Sequence, residues 1–509
     1  MLQLIKIKNG GKRLMFERIT PEQAGISSKI VTEFISNLER RGANMHSLVL
    51  IKDGKIFSEN YWAPYKKGSL QRMYSQTKSF VAIAIGLLEE EGKLCLDDKI
   101  VDLFMDKIDG DIETEFLKEQ TVRDMLTMTT VGLPGKWFTS GDPDRTHYYL
   151  NDYRTSHPSS TIFRYDSAGS QVLCSLVERL AKKPLLDYLK EKLFNKMECF
   201  KKASVLKTPN GDSWGDSALI CTVEDMACFG QLLINGGVWN GERLINEKFV
   251  KDATSKLVDN RLNGNYSVYN QGYGYQIWRV EGNGFAFIGM GDQITLCYPE
   301  KNVMLVCTAD NQGKNNLVRE ILIATFAEQV LANIGANPIA ENIADYEKLE
   351  NLSKSLKLRC AMGLSDSSFR EELNDKTYIC RDNPMGILNF KFKFNDQTSG
   401  EFYYQNAQGE KTIPFGINHN VFGKFPQFGY SNEYGAVKTT DGFVYDDAVS
   451  FAWLEEKKVM LYVQIIDKYL GNLSAVFAFK NDYVTAVFSR AAENFLKEYQ
   501  GELVAQLKK

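Results

Sequence analysis

Ser75 and Lys78 stand three residues apart near the head of YSQTKSFVAIAIGLLEEEG, which runs from Tyr74 to Gly92. Beyond them Val81, Ala82, Ala84, Ile85, Leu87 and Leu88 recur at helical spacing, and Gly92 supplies a stop. Serine is favoured at helix starts, which places Ser75 at the N-terminus with Lys78 one turn on, on the same face. A hydroxyl there has unpaired backbone N–H groups and the positive end of the helix dipole beside it. An adjacent amine able to lose its proton makes such a hydroxyl a nucleophile.

The spacing alone says little, since a chain of 509 residues holds roughly two Ser-x-x-Lys patterns by chance. Ser204 to Lys207 is a decoy of this kind. It runs into Thr208-Pro209-Asn210-Gly211, a turn, so no helix would hold its pair on one face. Two further stretches carry chemistry. Tyr165-Asp166-Ser167 offers a phenol that a nearby ammonium can drive toward phenolate, and so toward a base. GFAFIGMGDQ, from Gly284, is a glycine-rich strand whose backbone N–H groups a substrate carbonyl could approach closely. Taken singly, Tyr165 reads as a surface or half-buried tyrosine and the glycines as strand irregularities. Their order along the chain is what points to a site.

The elements that must position these residues can be read in turn. A helix is expected from Pro21 to Arg40, with Ile30, Val31, Phe34, Ile35 and Leu38 on one face. HSLVLIKDGKIFSENYW is a hairpin about Asp53-Gly54. A short helix enters at Thr121, a polar loop fills residues 136–160, and an apolar helix spans Gln171 to Ala181. Thr222 to Gly237 reads as another capped helix. GYGYQIWRV, GFAFIGMG, QITLCYP and NVMLVCTA read as successive antiparallel strands, closed by a helix from Asn315 to Ile334. A charged helix from Tyr346 to Leu358 follows. After Cys360, ILNFKFKF, GEFYYQ, AVSFAWLE, KVMLYVQII and SAVFAFK alternate with period two, a β-rich barrel or sandwich texture, and Ala491 to Leu507 reads as a terminal helix. This divides the chain into an N-terminal extension (1–20), a first domain (21–334), a linker helix (335–358) and a β-rich second domain (359–509).

The totals exclude several classes. A net charge of −3 and a pI near 6.0 give no reason to expect nucleic acid or an anionic membrane as partner. The nine cysteines form no CxxC pair, and the four histidines form no HExxH, so no metal or cofactor is expected and the thiols read as reduced. MLQLIKIKNGGKRLMF has no apolar stretch and no small-residue cleavage site, and no spanning segment follows, so cytoplasmic residence is the default.

SQTKSF, TVRDMLTMTTVGL, FRYDS, TVEDMACFGQLLINGGVWNGERL and GYGYQIW occur in an order that resembles the serine β-lactamase and penicillin-binding-protein superfamily. The likeness is to its class C-like branch, which includes esterases, D-amino-acid amidases and 6-aminohexanoate-dimer hydrolases. It covers the first domain, from about Thr20 to Ile334. The resemblance implies an α+β domain: an antiparallel sheet flanked by helices, with a helical subdomain holding Tyr165. The second domain resembles the barrel-like, lipocalin-like accessory domains of some relatives.

The resemblance also implies roles. Ser75 matches the acylated nucleophile, Lys78 the lysine that eases its deprotonation, and Tyr165 the general base and acid. Ser167 would line the pocket and touch Lys78. The strand motif that carries Lys or His in β-lactamases falls on Phe287-Ile288-Gly289, and the oxyanion N–H groups would be those of Ser75 and Met290. Phe287 cannot hold a carboxylate, and Gly289-x-Gly291 is the pattern of the 6-aminohexanoate-dimer hydrolase-like members. Trp137, Asp142, His147, Tyr148 and His157 would wall the pocket. The expectation is a serine hydrolase of small esters or amides, with a possible homo-oligomer. The alternatives are a β-lactamase or D-stereospecific peptidase, and a non-catalytic binding or sensor protein of the same fold.

Overall fold

The computed structural model describes residues 16–509 except 112–114, 134–139, 153–155, 262–265, 315, 430, 436–441 and 493–494. The first domain is built on seven strands: β1 (Glu17–Arg18), β2 (Met45–Lys52), β3 (Lys55–Tyr61), β4 (Trp278–Val280), β5 (Gly284–Gly289), β6 (Gln293–Tyr298) and β7 (Val303–Ala309). Their order is β1-β3-β2-β7-β6-β5-β4, antiparallel apart from β1. The expected extension over residues 1–20 thus lies partly outside the described residues, and its end adds an edge strand to the sheet.

Every residue of β2 is buried, because both faces of the sheet are covered. The period of two splits its side chains between two cores. Leu48 and Leu50 pack with Phe34, Leu38 and Phe326, from α1 (Ser28–Arg40) and the helical segment that follows β7. Val49 and Ile51 join a larger cluster around α2 (Thr77–Glu90). α1 begins later than Pro21 because Ser27 caps it, accepting from Ile30 N–H. Thr121 caps α3 (Val122–Leu126) in a reciprocal box with Asp124. Asp166 caps α4 (Ser167–Ala181), and Thr222 caps α5 (Val223–Ile234). The stretch expected to be loop over 136–160 contains a short helix, Arg145–Asn151, capped by Asp144. After β7 comes α6 (Leu317–Thr325). α7 (Ile343–Ser355), expected as a linker, is docked on the first domain, with Leu349 and Leu356 in the α1 core.

The second domain is a closed barrel of nine strands: β8 (Tyr378–Cys380), β9 (Asn389–Phe394), β10 (Ser399–Asn406), β11 (Gly409–Ile417), β12 (Asp446–Glu455), β13 (Lys458–Ile466), β14 (Leu470–Lys480), β15 (Tyr483–Ala492) and β16 (Gly501–Leu507). β16 lies between β8 and β15, and a parallel contact of β11 with β12 closes the ring. The expected terminal helix from Ala491 to Leu507 is therefore corrected. Gly501–Leu507 is a strand, with Leu503 and Ala505 buried and Glu502 and Gln506 exposed. Its residues favour helix locally, but two open strand edges offer a ladder of hydrogen bonds that overrides the propensity. The barrel interior is filled by rings, among them Phe390, Phe392, Phe402, Phe415, Phe451 and Phe477.

All nine cysteines are free thiols. Among the described residues no helix is long and apolar enough to cross a membrane.

At the start of β12, Asp447 is buried, and its Oδ2 has no hydrogen-bond partner. Burial pushes its carboxyl up to about 7. The unfolded chain ionises near the ordinary value of about 4, so stability falls as pH climbs from there through 7. Asp447→Asn should melt a few degrees above the parent near pH ~8, with a smaller gap near pH ~5. A gap that is the same at both values would show that this carboxyl ionises freely in the fold.

Candidate active site

A two-residue strand, Gln71–Arg72, pairs with Leu219–Cys221, and the Met73 amide extends the pairing to the Leu219 carbonyl at 2.8 Å. The chain then makes a 3-10 turn over Tyr74–Gln76 that runs directly into α2. Ser75 sits inside this turn, at the N-terminal end of the helix as expected, and no side chain caps α2. Tyr74 takes a left-handed backbone (φ 47°). Its conformation is tied down at the ring end, where the Tyr74 hydroxyl donates to the Leu470 carbonyl (3.3 Å) and accepts from the Leu470 amide (3.1 Å). The Ser75 hydroxyl is left for Lys78, whose Nζ donates to it at 3.1 Å.

Lys78 is 1% exposed. A buried ammonium needs partners, and this one has three. Besides Ser75 Oγ it donates to the Asp216 carbonyl at 2.7 Å, and it lies 5.0 Å from the centre of the Tyr165 ring. The Tyr165 ring stacks on Trp278 at 5.6 Å. It is placed at the head of α4, where the Asp166 carboxylate accepts from Gly169 N–H (2.9 Å) and the Thr130 hydroxyl (3.0 Å). Ser167 lines the same cavity, but the second hydrogen bond of the Lys78 amine goes to Asp216 rather than to it.

The third element is the β5–β6 hairpin. A Cβ at Gly289 would lie 2.3 Å from the Met73 carbonyl oxygen, so only glycine permits this approach. The approach brings Met290 and Gly291 to the cavity over Ser75. Phe287 is placed differently from the expectation. It is fully buried, against Phe229 at 5.1 Å, because strand alternation turns it into the α2 core. Asp292, at the hairpin tip, is held by Arg319 at 3.2 Å. Burial nevertheless raises its carboxyl above the usual range.

The cavity measures about 790 Å³. Ser75, Tyr165, Ser167, Met290 and Gly291 line it, as do Asp216 and Ser217, which carry no sequence motif and went unforeseen. So do Arg490, Ala491, Ala492 and Gln500 of the barrel, more than four hundred residues from Ser75. The expected wall residues that are described do not join them. Asp142, Tyr148 and His157 are not among the lining residues. His147 sits between Asp142 (2.5 Å) and Asp109 (2.8 Å), which hold its imidazole above the usual histidine range. Trp137 lies outside the described residues. The decoy pair is taken up elsewhere: Ser204 lies in a short strand and Lys207 pairs with Glu433 of the barrel. No cluster of His, Cys, Asp and Glu among the described residues has the form of a metal site.

A curated relative, the 6-aminohexanoate-dimer hydrolase of Paenarthrobacter ureafaciens, is 22% identical over 250 residues, covering 46% of this chain. The chain spans 64% of the length of that relative, under two thirds. Among solved structures, the "Putative 6-aminohexanoate-dimer hydrolase from Bacillus anthracis" superposes with a TM-score of 0.51 at 16% identity, over 63% of this chain and 88% of that one. An octameric penicillin-binding protein homologue from Pyrococcus abyssi covers 94% of this chain and 99% of its own, at 15% identity and a TM-score of 0.47. The Beta-lactamase family model matches residues 29–327, more than half of the sequence and the whole stretch from Ser75 to Gly291, and the chain belongs to that family.

Proposed function

We propose that this protein is a serine hydrolase that cleaves small esters or amides through an acyl-enzyme on Ser75. The observation that carries the reading is the Lys78 amine, bonded to the Ser75 hydroxyl and 5.0 Å from the centre of the Tyr165 ring, with Ser75 and Tyr165 lining one cavity. In the proposed mechanism Tyr165, paired with the Lys78 ammonium, takes the Ser75 proton as Oγ attacks the substrate carbonyl. The N–H groups of Ser75 and Met290 receive the oxyanion. Each such donor is worth about 3–4 kcal/mol of transition-state stabilisation. Tyr165 returns the proton to the leaving group, and water then releases the acyl group.

Several features favour esters and amides over β-lactams. Phe287 occupies the position that carries a cation in the β-lactamase pattern, and it is buried in the core. The resemblance to 6-aminohexanoate-dimer hydrolases at 22% identity points the same way. A purely binding role gives no reason for a lysine to be sealed against a serine hydroxyl.

Ser75→Ala should abolish turnover of p-nitrophenyl acetate or butyrate and labelling by an active-site serine probe. Covalent labelling that persists in this variant would sink the assignment. Tyr165→Phe should lower kcat by about 100-fold or more, with KM little changed. Gly289→Ala should also lower kcat by about 100-fold, because a Cβ there must push Met73 and Met290 apart and spoil the second N–H. Loss of solubility or of the parent melting point, rather than of rate, would instead mark Gly289 as purely structural. Nitrocefin turnover should fall far below ester turnover, and efficient hydrolysis would show that the cavity accepts β-lactams without a cation at Phe287.

A further inference from the structure

The cavity over Ser75 has a wall that lies outside the matched family span, made by Arg490, Ala491 and Ala492 at the end of β15 and by Gln500 before β16. This wall is indexed to the nucleophile by a short chain of contacts. Tyr74, next to Ser75, is hydrogen-bonded through its ring hydroxyl to Leu470 at the start of β14. β14 pairs with β15 in a register that sets Leu473 opposite Arg490. Gln312, also on the cavity, donates to the Leu470 carbonyl at 2.8 Å.

Arg490 is held by one edge and idle on the other. Its Nη1 donates to the Ala492 carbonyl (2.7 Å) and the Phe495 carbonyl (3.3 Å). Its backbone N–H donates to Gln500 Oε1 at 3.1 Å. Its Nε is shielded from solvent and has no hydrogen-bond partner. None of the ion pairs among the described residues includes it. The other guanidinium on the cavity, Arg319, is already paired with Asp292. The Arg490 guanidinium therefore faces the cavity with no carboxylate paired to it among the described residues, and an anion entering the cavity could pair with it through a charge-assisted hydrogen bond. A guanidinium keeps its charge at any working pH and prefers a carboxylate partner to a neutral group.

We infer that Arg490 is a specificity residue that binds a carboxylate carried by the substrate away from its scissile bond, so that the barrel selects anionic esters or amides for Ser75. The inference rests on the reading of Ser75 as the nucleophile, and it adds a substrate class to that reading.

The test compares full-length protein on p-nitrophenyl butyrate with the mono-p-nitrophenyl esters of succinate, glutarate and adipate, which add a terminal carboxylate at increasing reach. At one chain length or more, the wild type should show kcat/KM about tenfold or more above that for butyrate. Arg490→Ala should reduce this charged-to-neutral ratio by about 10- to 100-fold, chiefly through KM, and Arg490→Lys should restore part of it. Melting curves of both variants confirm that they fold. If Arg490→Ala does not fold, the wild-type series decides alone. A wild-type ratio at or below one for every chain length, or a ratio unchanged in Arg490→Ala, overturns the inference. Binding of glutarate monomethyl ester to Ser75→Ala, followed by calorimetry with and without Arg490→Ala, separates the two readings. Arg490-dependent binding with no ester turnover by the wild type removes the hydrolase and keeps the carboxylate site. Equal turnover of charged and neutral esters, with no such binding, keeps the hydrolase and removes the site.

Discussion

The structure depends on how one ammonium is kept out of water. Lys78 sits inside α2 with almost no exposed surface, and a charge so placed is tolerated only when its hydrogens are used. Ser75 Oγ and the Asp216 carbonyl take two of them, and the Tyr165 ring covers the amine. Each partner comes from a different part of the chain, so each constrains the packing of a separate element. The Asp216 carbonyl is brought in by the segment that leads to the Leu219–Cys221 strand, which pairs beside the nucleophile turn. Tyr165 is brought in by the capped start of α4. Removing any one of these elements would leave the amine underpaired, so the need to satisfy Lys78 and the assembly of the site are the same constraint.

A second cation, Arg72, ties this arrangement to the barrel. It is fully buried, donates to the Ser217 carbonyl (2.8 Å) and hydroxyl (3.1 Å), and lies 4.4 to 4.9 Å from the ring centres of Tyr74, Trp214 and Tyr469. Tyr469 belongs to the barrel and Trp214 packs in its core cluster, while Tyr74 and Ser217 line the cavity. Asn44 to Gln464 (3.0 Å) and Asn472 to Asp310 (3.2 Å) add polar links along the same seam. The barrel is thus fastened to the residue preceding the nucleophile, and its aromatic-filled interior makes it a wall rather than a container.

What was legible in the sequence follows from how local each signal is. The α2 helix, the Asp53-Gly54 hairpin and the caps at Thr121 and Thr222 announce themselves within a few residues, and the structure has them there. Phe287 illustrates the next level. Its position on the strand was readable, but which side of the strand faces the cavity depends on where Gly289 touches Met73, a contact between distant segments. Gly501–Leu507 reads as helix because its residues favour helix, and becomes a strand because β8 and β15 leave a gap of matching length. Asp216 serves Lys78 through its backbone carbonyl, and such a contribution leaves no trace in residue type. Arg490 reaches the cavity only through the docking of one domain on another.

The contact of Gly289 with Met73 ties these levels together. Backbone pressed on backbone fixes the separation of the nucleophile turn from the β5 strand more rigidly than any pair of side chains could, because neither partner has a rotamer to adjust. The two N–H groups proposed to receive the oxyanion, those of Ser75 and Met290, lie respectively two residues and one residue beyond that contact. Their spacing is therefore set before any substrate arrives, which is the condition under which such donors stabilise developing charge without reorganising. The left-handed Tyr74 backbone is the conformational cost of turning the chain sharply enough to reach this contact. The Tyr74 hydroxyl offsets it at Leu470. The accessory barrel then helps hold the shape of the nucleophile turn as well as walling the cavity above it.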